Sequence, residues 1–282
     1  MRFDRLHLAS HPLIMGILNV TPDSFSDGGL FLDPDVATQE ALRMVAEGAD
    51  LIDVGGESTR PGAEPIDAEE QIRRVVPTIQ RLRTVLPEGF PISIDTTRGA
   101  VAEAALAAGA DLVNDVLAGR DDPTMFERVA DRGVPIVLMH MQGTPKTMQE
   151  RPYYDNVVEE VIAFLLERAD LAMRAGILHD RIWLDPGIGF GKRKDDNLAL
   201  IAHLDRLVAT GYPVLLGASR KRFMGAVCGE QRPNGLTAAT VATTALGVMS
   251  GVRMFRVHDI RQNRQAADVA AAIRTVRESS CP

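Results

Sequence analysis

Short apolar runs of strand length recur eight times along the chain, and each ends in a polar residue or a turn. The first, Leu13-Ile14-Met15-Gly16-Ile17-Leu18, breaks at Asn19-Val20 into a polar stretch holding Pro22 and the turn signal Asp27-Gly28-Gly29. The expected strands cover residues 13–20, 51–55, 91–95, 112–115, 135–140, 182–185, 213–218 and 254–258. They are continuous apolar runs and not alternating ones, the pattern of strands covered on both faces. Between them the apolar positions take helical spacing. Asp67-Ala68-Glu69-Glu70 reads as a capping box ahead of a helix with Ile72, Val75, Val76 and Ile79 on one face. Ala100, Val101, Ala104, Ala105 and Ala108 form a small-residue stripe closed by Gly109, and Val157, Val158, Val161, Ile162 and Leu165 form another. Strand then helix, eight times over with no shift in composition, predicts a single (β/α)8 TIM barrel over residues 1–282. An open doubly wound sheet is the alternative. In a barrel, function sits at the C-terminal ends of the strands.

Those ends, in order, are Asn19; Asp53 with the loop Gly55-Gly56-Glu57-Ser58-Thr59-Arg60-Pro61-Gly62; Asp95; Asn114-Asp115; His140; Asp185; Ser219-Arg220-Lys221; and Arg256 with His258. Asp, Asn, Ser and Thr often follow a strand because they cap the next helix, and Asp115, Thr97 and Asp259 are read that way. Asp53 fits a buried hydrogen-bonding support as well as it fits ligand contact. His140, between Met139 and Met141, is read as structural. Met139 fits the wall of a flat-ring pocket, although core filling is the default for Met. The set as a whole asks for more. Side chains alternate along a strand, so an inward Asp95 brings Ser93 inward, turns Ile92 and Ile94 toward the helices, and the same parity aligns Trp183 with Asp185. An inward carboxylate without a partner is costly, so a mouth carrying several of them needs a polar ligand. Strands ending in Asp or Asn, faced by Lys221, Arg256 and His258, describe an acidic half and a basic half. The first suits a neutral heterocycle rich in N–H donors, the second an anion. The stretch from Asp185 to Lys192 is Gly-rich without the spacing of a phosphate-binding P-loop. Its glycines are expected to let backbone approach a flat ligand, with Phe190 beside it. The run Lys192-Arg193-Lys194-Asp195-Asp196 reads as a solvated helix start.

Composition narrows the classes. The 282 residues are 45% apolar, enough for a sizeable core, and carry a net charge of -7. That balance argues against nucleic acid as a partner, so an anionic substrate must be held by a local arrangement. The two cysteines, Cys228 and Cys281, are too few for a disulfide framework and lack metal-motif spacing, and Cys281 is expected on a mobile tail. Arg2 and Arg5 are followed by no apolar segment before His11-Pro12, so no signal peptide is expected. The small-residue stretch 236–252 holds Thr237, Thr240, Thr243, Thr244 and Ser250 and reads as a buried helix, not a membrane span. A soluble cytoplasmic protein is expected.

The residues also carry a resemblance. Asn19-Val20-Thr21-Pro22-Asp23-Ser24-Phe25-Ser26-Asp27-Gly28-Gly29 and Gly55-Gly56-Glu57-Ser58-Thr59-Arg60-Pro61-Gly62 resemble the two signature stretches of the dihydropteroate synthase family. Ser93-Ile94-Asp95-Thr96, Val113-Asn114-Asp115, Leu138-Met139-His140-Met141-Gln142-Gly143-Thr144-Pro145, Asp185-Pro186-Gly187, Gly189-Phe190-Gly191-Lys192, Ser219-Arg220-Lys221 and Arg256-Val257-His258-Asp259 follow in the family's order. The resemblance runs from about Leu13 to about Ala272. One departure is visible: many members carry His-Asn where this chain has Asp196-Asn197, which puts loop geometry in question. The resemblance implies condensation of 6-hydroxymethyl-7,8-dihydropterin pyrophosphate with p-aminobenzoate, giving 7,8-dihydropteroate and pyrophosphate. It also implies magnesium and a homodimeric barrel, with Asp95, Lys221 and Arg256 as catalytic residues. On the pterin ring it places Asp185 at the 2-amino and N3–H edge, with Lys221 at the 4-oxo group. Asn114 and Asp95 take the remaining edge, and Met139 and Phe190 lie beside it. Thr59, Arg256 and His258 would take pyrophosphate oxygens, and Asn19 would hold magnesium. Phe25, Arg60, Pro61 and Ser219 would enclose p-aminobenzoate, with Phe190 also walling that pocket. Two alternatives stand beside the synthase. A pterin-binding methyltransferase domain would share the Asp/Asn set but have no use for the Arg256/His258 pair. A non-catalytic paralogue would have lost one of Asn19, Thr59, Arg60, Lys221 or Arg256, and all are present.

Overall fold

The computed structural model describes residues 9–21, 34–57, 66–144, 146–148 and 150–279. Eight parallel strands form one sheet: β1 Leu13–Asn19, β2 Leu51–Gly55, β3 Ile92–Asp95, β4 Leu112–Asp115, β5 Ile136–Met139, β6 Ile182–Asp185, β7 Leu215–Leu216 and β8 Met254–Val257. Their order is β6-β5-β4-β3-β2-β1-β8-β7, and a single parallel bridge from Leu184 to Val214 draws the two edges together. The result is a nearly closed TIM barrel. The strand expected over 213–218 is regular only at Leu215–Leu216. Past it lies Gly217, where Asp185 Oδ2 would stand 3.4 Å from a Cβ. The chain leaves the ladder where it meets that carboxylate.

The helices α1 Pro34–Ala46, α2 Ala68–Val85, α3 Gly99–Ala108, α4 Met125–Arg132, α5 Val157–Arg174, α6 Lys194–Ala202, α7 Leu204–Val208, α8 Arg222–Cys228, α9 Thr237–Met249 and α10 Ile260–Ser279 follow the strands. Asp67 caps α2 by accepting the Glu70 N–H at 2.8 Å, which satisfies a donor that the first turn leaves without a partner. Gly109 closes α3 in the left-handed region. Ala100 is exposed, so the α3 stripe is narrower than its sequence suggests. In α9 only one face is buried, through Thr240, Thr243, Thr244, Gly247 and Val248, while Leu246 is exposed. The buried helix expected there buries one face and exposes the other. No described helix is long and apolar enough to cross a membrane. Cys228 is an exposed thiol; Cys281 lies outside the described residues.

Alternation along the strands builds two cores. Ile14, Ile52, Ile92, Ile94, Val113, Leu138 and Leu184 face outward into the helices. Leu13, Met15, Leu51, Leu112, Val137, Trp183, Leu215 and Met254 fill the barrel interior. Each such buried aliphatic side chain contributes roughly 1.5–3 kcal/mol over an exposed one. Asp53, Ser93, Asp95, Asn114 and Asp185 share the inward parity and are buried. The barrel therefore has an apolar floor and a polar mouth.

Candidate active site

At the mouth, buried groups from five strands meet. Arg256 on β8 donates from Nε to Asp53 Oδ2 at 2.6 Å and from Nη2 to Asp95 Oδ2 at 2.7 Å. Asn114 Nδ2 donates to the same Asp53 oxygen at 3.0 Å. Asp53 is 0% exposed. Its Oδ2 holds a cation and an amide together, while its Oδ1 has no hydrogen-bond partner among the described residues. The acidic and basic halves expected from the sequence are thus joined by Arg256. Burial pushes Asp95 up to about 7, against the opposing charge of Arg256, and the Asp53 carboxylate adds to the rise. Asp185 is also buried and is pushed up to about 6, although it accepts the Gly187 N–H at 2.7 Å and faces Lys221 and Lys192.

An apolar cluster adjoins Asp185, whose ladder partner is Met139. Met139, Met141, Met148, Val116 and Phe190 form one cluster, and Lys221 Nζ stands 3.8 Å from the centre of the Phe190 ring. Burial, followed by the neighbouring Arg256 charge, lowers Lys221 to about 8. Ser219 and His258 make a further pair. Ser219 Oγ accepts the His258 backbone N–H at 3.2 Å and lies 2.9 Å from its Nδ1. With the hydroxyl donating to Nδ1, the ring proton sits on Nε2. Burial, Arg220 and Arg256 push His258 down to about 3, so it is a neutral donor. Arg220, between Ser219 and Lys221, turns away and grips Asp259 at 3.0 and 2.6 Å and Asn234 at 2.8 Å. The Asp259 side chain therefore serves Arg220 and Thr237 in place of the cap expected of it, while its backbone carbonyl accepts the Asn263 N–H in the first turn of α10. Asp115 accepts the N–H groups of Leu117 and Gly119 in a turn, close to its expected capping role. Thr97, also read as a cap, donates to Asp121 at 2.7 Å instead.

The turn after β6 corrects two expectations. Gly187 and Gly191 have φ of 67° and 61°, and a Cβ on either would overlap the carbonyl of His140 or Gln142. The glycines let this backbone lie on the backbone after β5, and Gly189 makes room for the Lys221 side chain. Lys192, read as solvated, is buried, as is Asp196. Its Nζ sits among carbonyls and the His140 ring, and burial, against the pull of the Asp185 charge, lowers it to about 7. Asp196 accepts the Arg193 backbone N–H at 2.8 Å and its guanidinium at 2.8 and 2.7 Å, and Asn197 Oδ1 accepts the Gly189 N–H at 2.6 Å. The Asp196-Asn197 pair thus ties the turn to the start of α6. His140 is structural, as expected: burial and the Lys192 and Arg120 charges hold it down at about 2, and Phe164 packs edge-on at 4.9 Å.

Asn19 ends β1 at the rim. Its amide oxygen and Asp95 Oδ2 lie 3.3 and 3.7 Å from the point a Gly55 Cβ would occupy. Among the described residues no cluster of three His, Cys, Asp or Glu could hold a metal. One amide oxygen and a nearby carboxylate fit magnesium shared with substrate phosphates, not a cage built by protein alone. Thr59, Arg60, Pro61 and Phe25 lie outside the described residues. The residues flanking 58–65 are tied together: Glu57 accepts the Ile66 N–H at 3.1 Å and the Gln71 amide at 2.7 Å. The sequence leaves the role of Asp53 open and does not show the burial of Lys192. Strand parity could have placed Asp53 inside beside Gly55; nothing local marks Lys192.

The sequence model of the pterin binding enzyme family matches residues 15–258. The dihydropteroate synthase of Mycobacterium leprae is 48% identical over 265 residues, 92% of each chain. The crystal structure of Yersinia pestis dihydropteroate synthase with a sulfonamide drug superposes with a TM-score of 0.89 at 41% identity, covering 94% of this chain and 95% of that one. The Xanthomonas albilineans enzyme in complex with 7,8-dihydropteroate gives 0.84 at 44%, covering 96% and 95%. By this full-length likeness, the chain belongs to the dihydropteroate synthases, pterin-binding transferases of folate biosynthesis.

Proposed function

We propose that this one-domain barrel joins 6-hydroxymethyl-7,8-dihydropterin pyrophosphate to p-aminobenzoate with the residues described above. The supporting observation is the buried bridge Asp53–Arg256–Asp95 set beside Asn114, Asp185 and the Lys221–Phe190 wall. Asp185 accepts from the 2-amino and N3–H edge, Lys221 donates to the 4-oxo group, and Asn114 and Asp95 take the N8 side. Arg256, the Nε2–H of His258 and Thr59 bind pyrophosphate oxygens. Asn19 Oδ1 would hold Mg2+, which when bound neutralises pyrophosphate charge. The C–O bond to pyrophosphate breaks and the electron-rich ring stabilises the positive methylene, with Asp95 nearby. The neutral arylamine then forms the new N–C bond and its proton goes to solvent. Charge stabilisation and positioning supply most of the acceleration. The 7,8-dihydropteroate of the Xanthomonas complex is the product of this reaction and supports the reading. Ser219, Phe190, Phe25, Arg60 and Pro61 would enclose p-aminobenzoate. A homodimer would cover Leu246, Val269 and Ile273, exposed on the packed pair α9 and α10. The deciding experiment is pyrophosphate release on mixing the protein with both substrates and Mg2+. Release without p-aminobenzoate at the same rate, or no release, overturns the proposal.

A further inference from the structure

Lys192 has no part in the chemistry above, yet its ammonium is built into the mouth. The side chain is 4% exposed. Nζ lies 2.9 Å from His140 Nδ1, 3.2 Å from His140 O, 2.9 Å from Gly187 O and 3.0 Å from Phe190 O. Its three N–H bonds thus face four acceptors from two places: the end of β5 and the turn after β6. Burying an ammonium is expensive unless hydrogen bonds replace its water, and here they do. The neutral His140 ring leaves Nδ1 free to accept.

The turn that Lys192 gathers presents the proposed pterin-facing groups. Gly187 N–H holds Asp185 Oδ1 at 2.7 Å. The Phe190 ring lies against Lys221 Nζ. Met139 immediately precedes His140, and the His140 N–H donates to Asp185 O at 3.1 Å. A shift of this turn away from β5 would carry Phe190 and the N–H that holds Asp185 away from Met139, which ends β5.

We propose that Lys192 is a positioning residue for pterin recognition. By drawing the carbonyls of Gly187, Phe190 and His140 onto one buried ammonium, it sets the turn after β6 against the end of β5. It thereby aligns Asp185, Phe190 and Met139 as one wall. The inference rests on the pterin reading above. Arg256, Ser219 and His258 make no contact with this ammonium.

The test uses full-length Lys192→Met, which keeps length but removes every donor. Lys192→Arg keeps the charge but carries a planar fork that cannot converge on the same four acceptors. Val161→Ala, in the outer core of α5, serves as a stability control. Calorimetry well below each variant's Tm measures Kd for 6-hydroxymethylpterin and, separately, for inorganic pyrophosphate with Mg2+. The expected result is a pterin Kd weakened roughly tenfold or more in Lys192→Met, with pyrophosphate held within about twofold. Lys192→Arg should fall between wild type and Lys192→Met, and decides the matter if the methionine variant does not fold. A purely structural role would lower Tm, as in Val161→Ala, and leave both constants unchanged. That result, or equal weakening of both ligands, overturns the inference. A wild type that binds no 6-hydroxymethylpterin overturns the functional reading as well, whereas wild-type binding matched by the variants overturns the inference alone.

Discussion

Replacing Arg256 with alanine strips two buried carboxylates of their shared counter-ion. The guanidinium reaches Asp53 at 2.6 Å and Asp95 at 2.7 Å, and those side chains are 0% and 7% exposed. Removing one member of a buried ion pair costs about 3–5 kcal/mol. The Arg256 side chain keeps 19% of its surface exposed, so water can enter the gap and Asp95 can take up a proton. The lower end, about 3 kcal/mol, is therefore expected. At about 2–4 °C per kcal/mol for a protein of this size, Tm should fall by roughly 6–12 °C. The loss should depend on pH. Asp95 is raised in the folded state to about 7. The folded protein then holds a proton that the unfolded chain has released. That contribution is complete at low pH and is lost as pH rises from about 4 through about 7. Without Arg256 the folded value moves higher still, and the loss extends further. The deficit against wild type should be smaller near about pH 5, where Asp95 is neutral in both proteins, than near about pH 8.

Ligand binding sharpens the same test. If Arg256 were an anion contact alone, its loss would weaken pyrophosphate and spare the free pterin. The bridge to Asp53 and Asp95 leads to a different expectation, because Asn114 and Asp95 are held through it. Pyrophosphate should weaken by about 2–3 kcal/mol and 6-hydroxymethylpterin by about 1–2 kcal/mol, on the scale of charged and of ordinary hydrogen bonds. Thermal denaturation at the two pH values and calorimetry with the two ligands read all four quantities. An unchanged pterin Kd together with a Tm within about 2 °C of wild type refutes the reasoning.

Dialysis against EDTA should abolish turnover and Mg2+ should restore it, with Asn19→Ala needing more metal; full activity in metal-free buffer contradicts the placement of magnesium. Sulfonamides should compete with p-aminobenzoate and not with the pterin, and the pterin substrate should bind first. Tight p-aminobenzoate binding to the free protein by calorimetry contradicts that order. Gly187→Ala puts a side chain at φ 67° against the His140 carbonyl. It should cost about 1–3 kcal/mol in backbone strain alone and also weaken pterin binding; an unchanged Tm would show that the turn is not held where the contacts place it.

The strands were legible because the signal for them is local. A continuous apolar run with a polar end marks a strand covered on both faces, and period-two parity placed Ser93, Asp95, Trp183 and Asp185 inside. Strand β7 was overread, since its length depends on ladder partners in β6 and β8 and not on its own residues. The roles of single residues at the mouth came from the resemblance, whose motifs carry chemistry that spacing alone does not.

By itself, then, the sequence determined the barrel, the end of it that carries the chemistry, and the family. Tertiary structure decided which charges meet. Arg256 and Asp53 are 203 positions apart and pair only because β8 and β2 flank β1. Ser219 and His258 are 39 apart. Lys192 sits in a run of charges that looks solvated, and its burial depends on acceptors that include His140, 52 positions upstream. Whether a charge stays in water or is buried is set by the balance of desolvation against the partners that await it. In a barrel those partners arrive from other strands, so no local pattern records them.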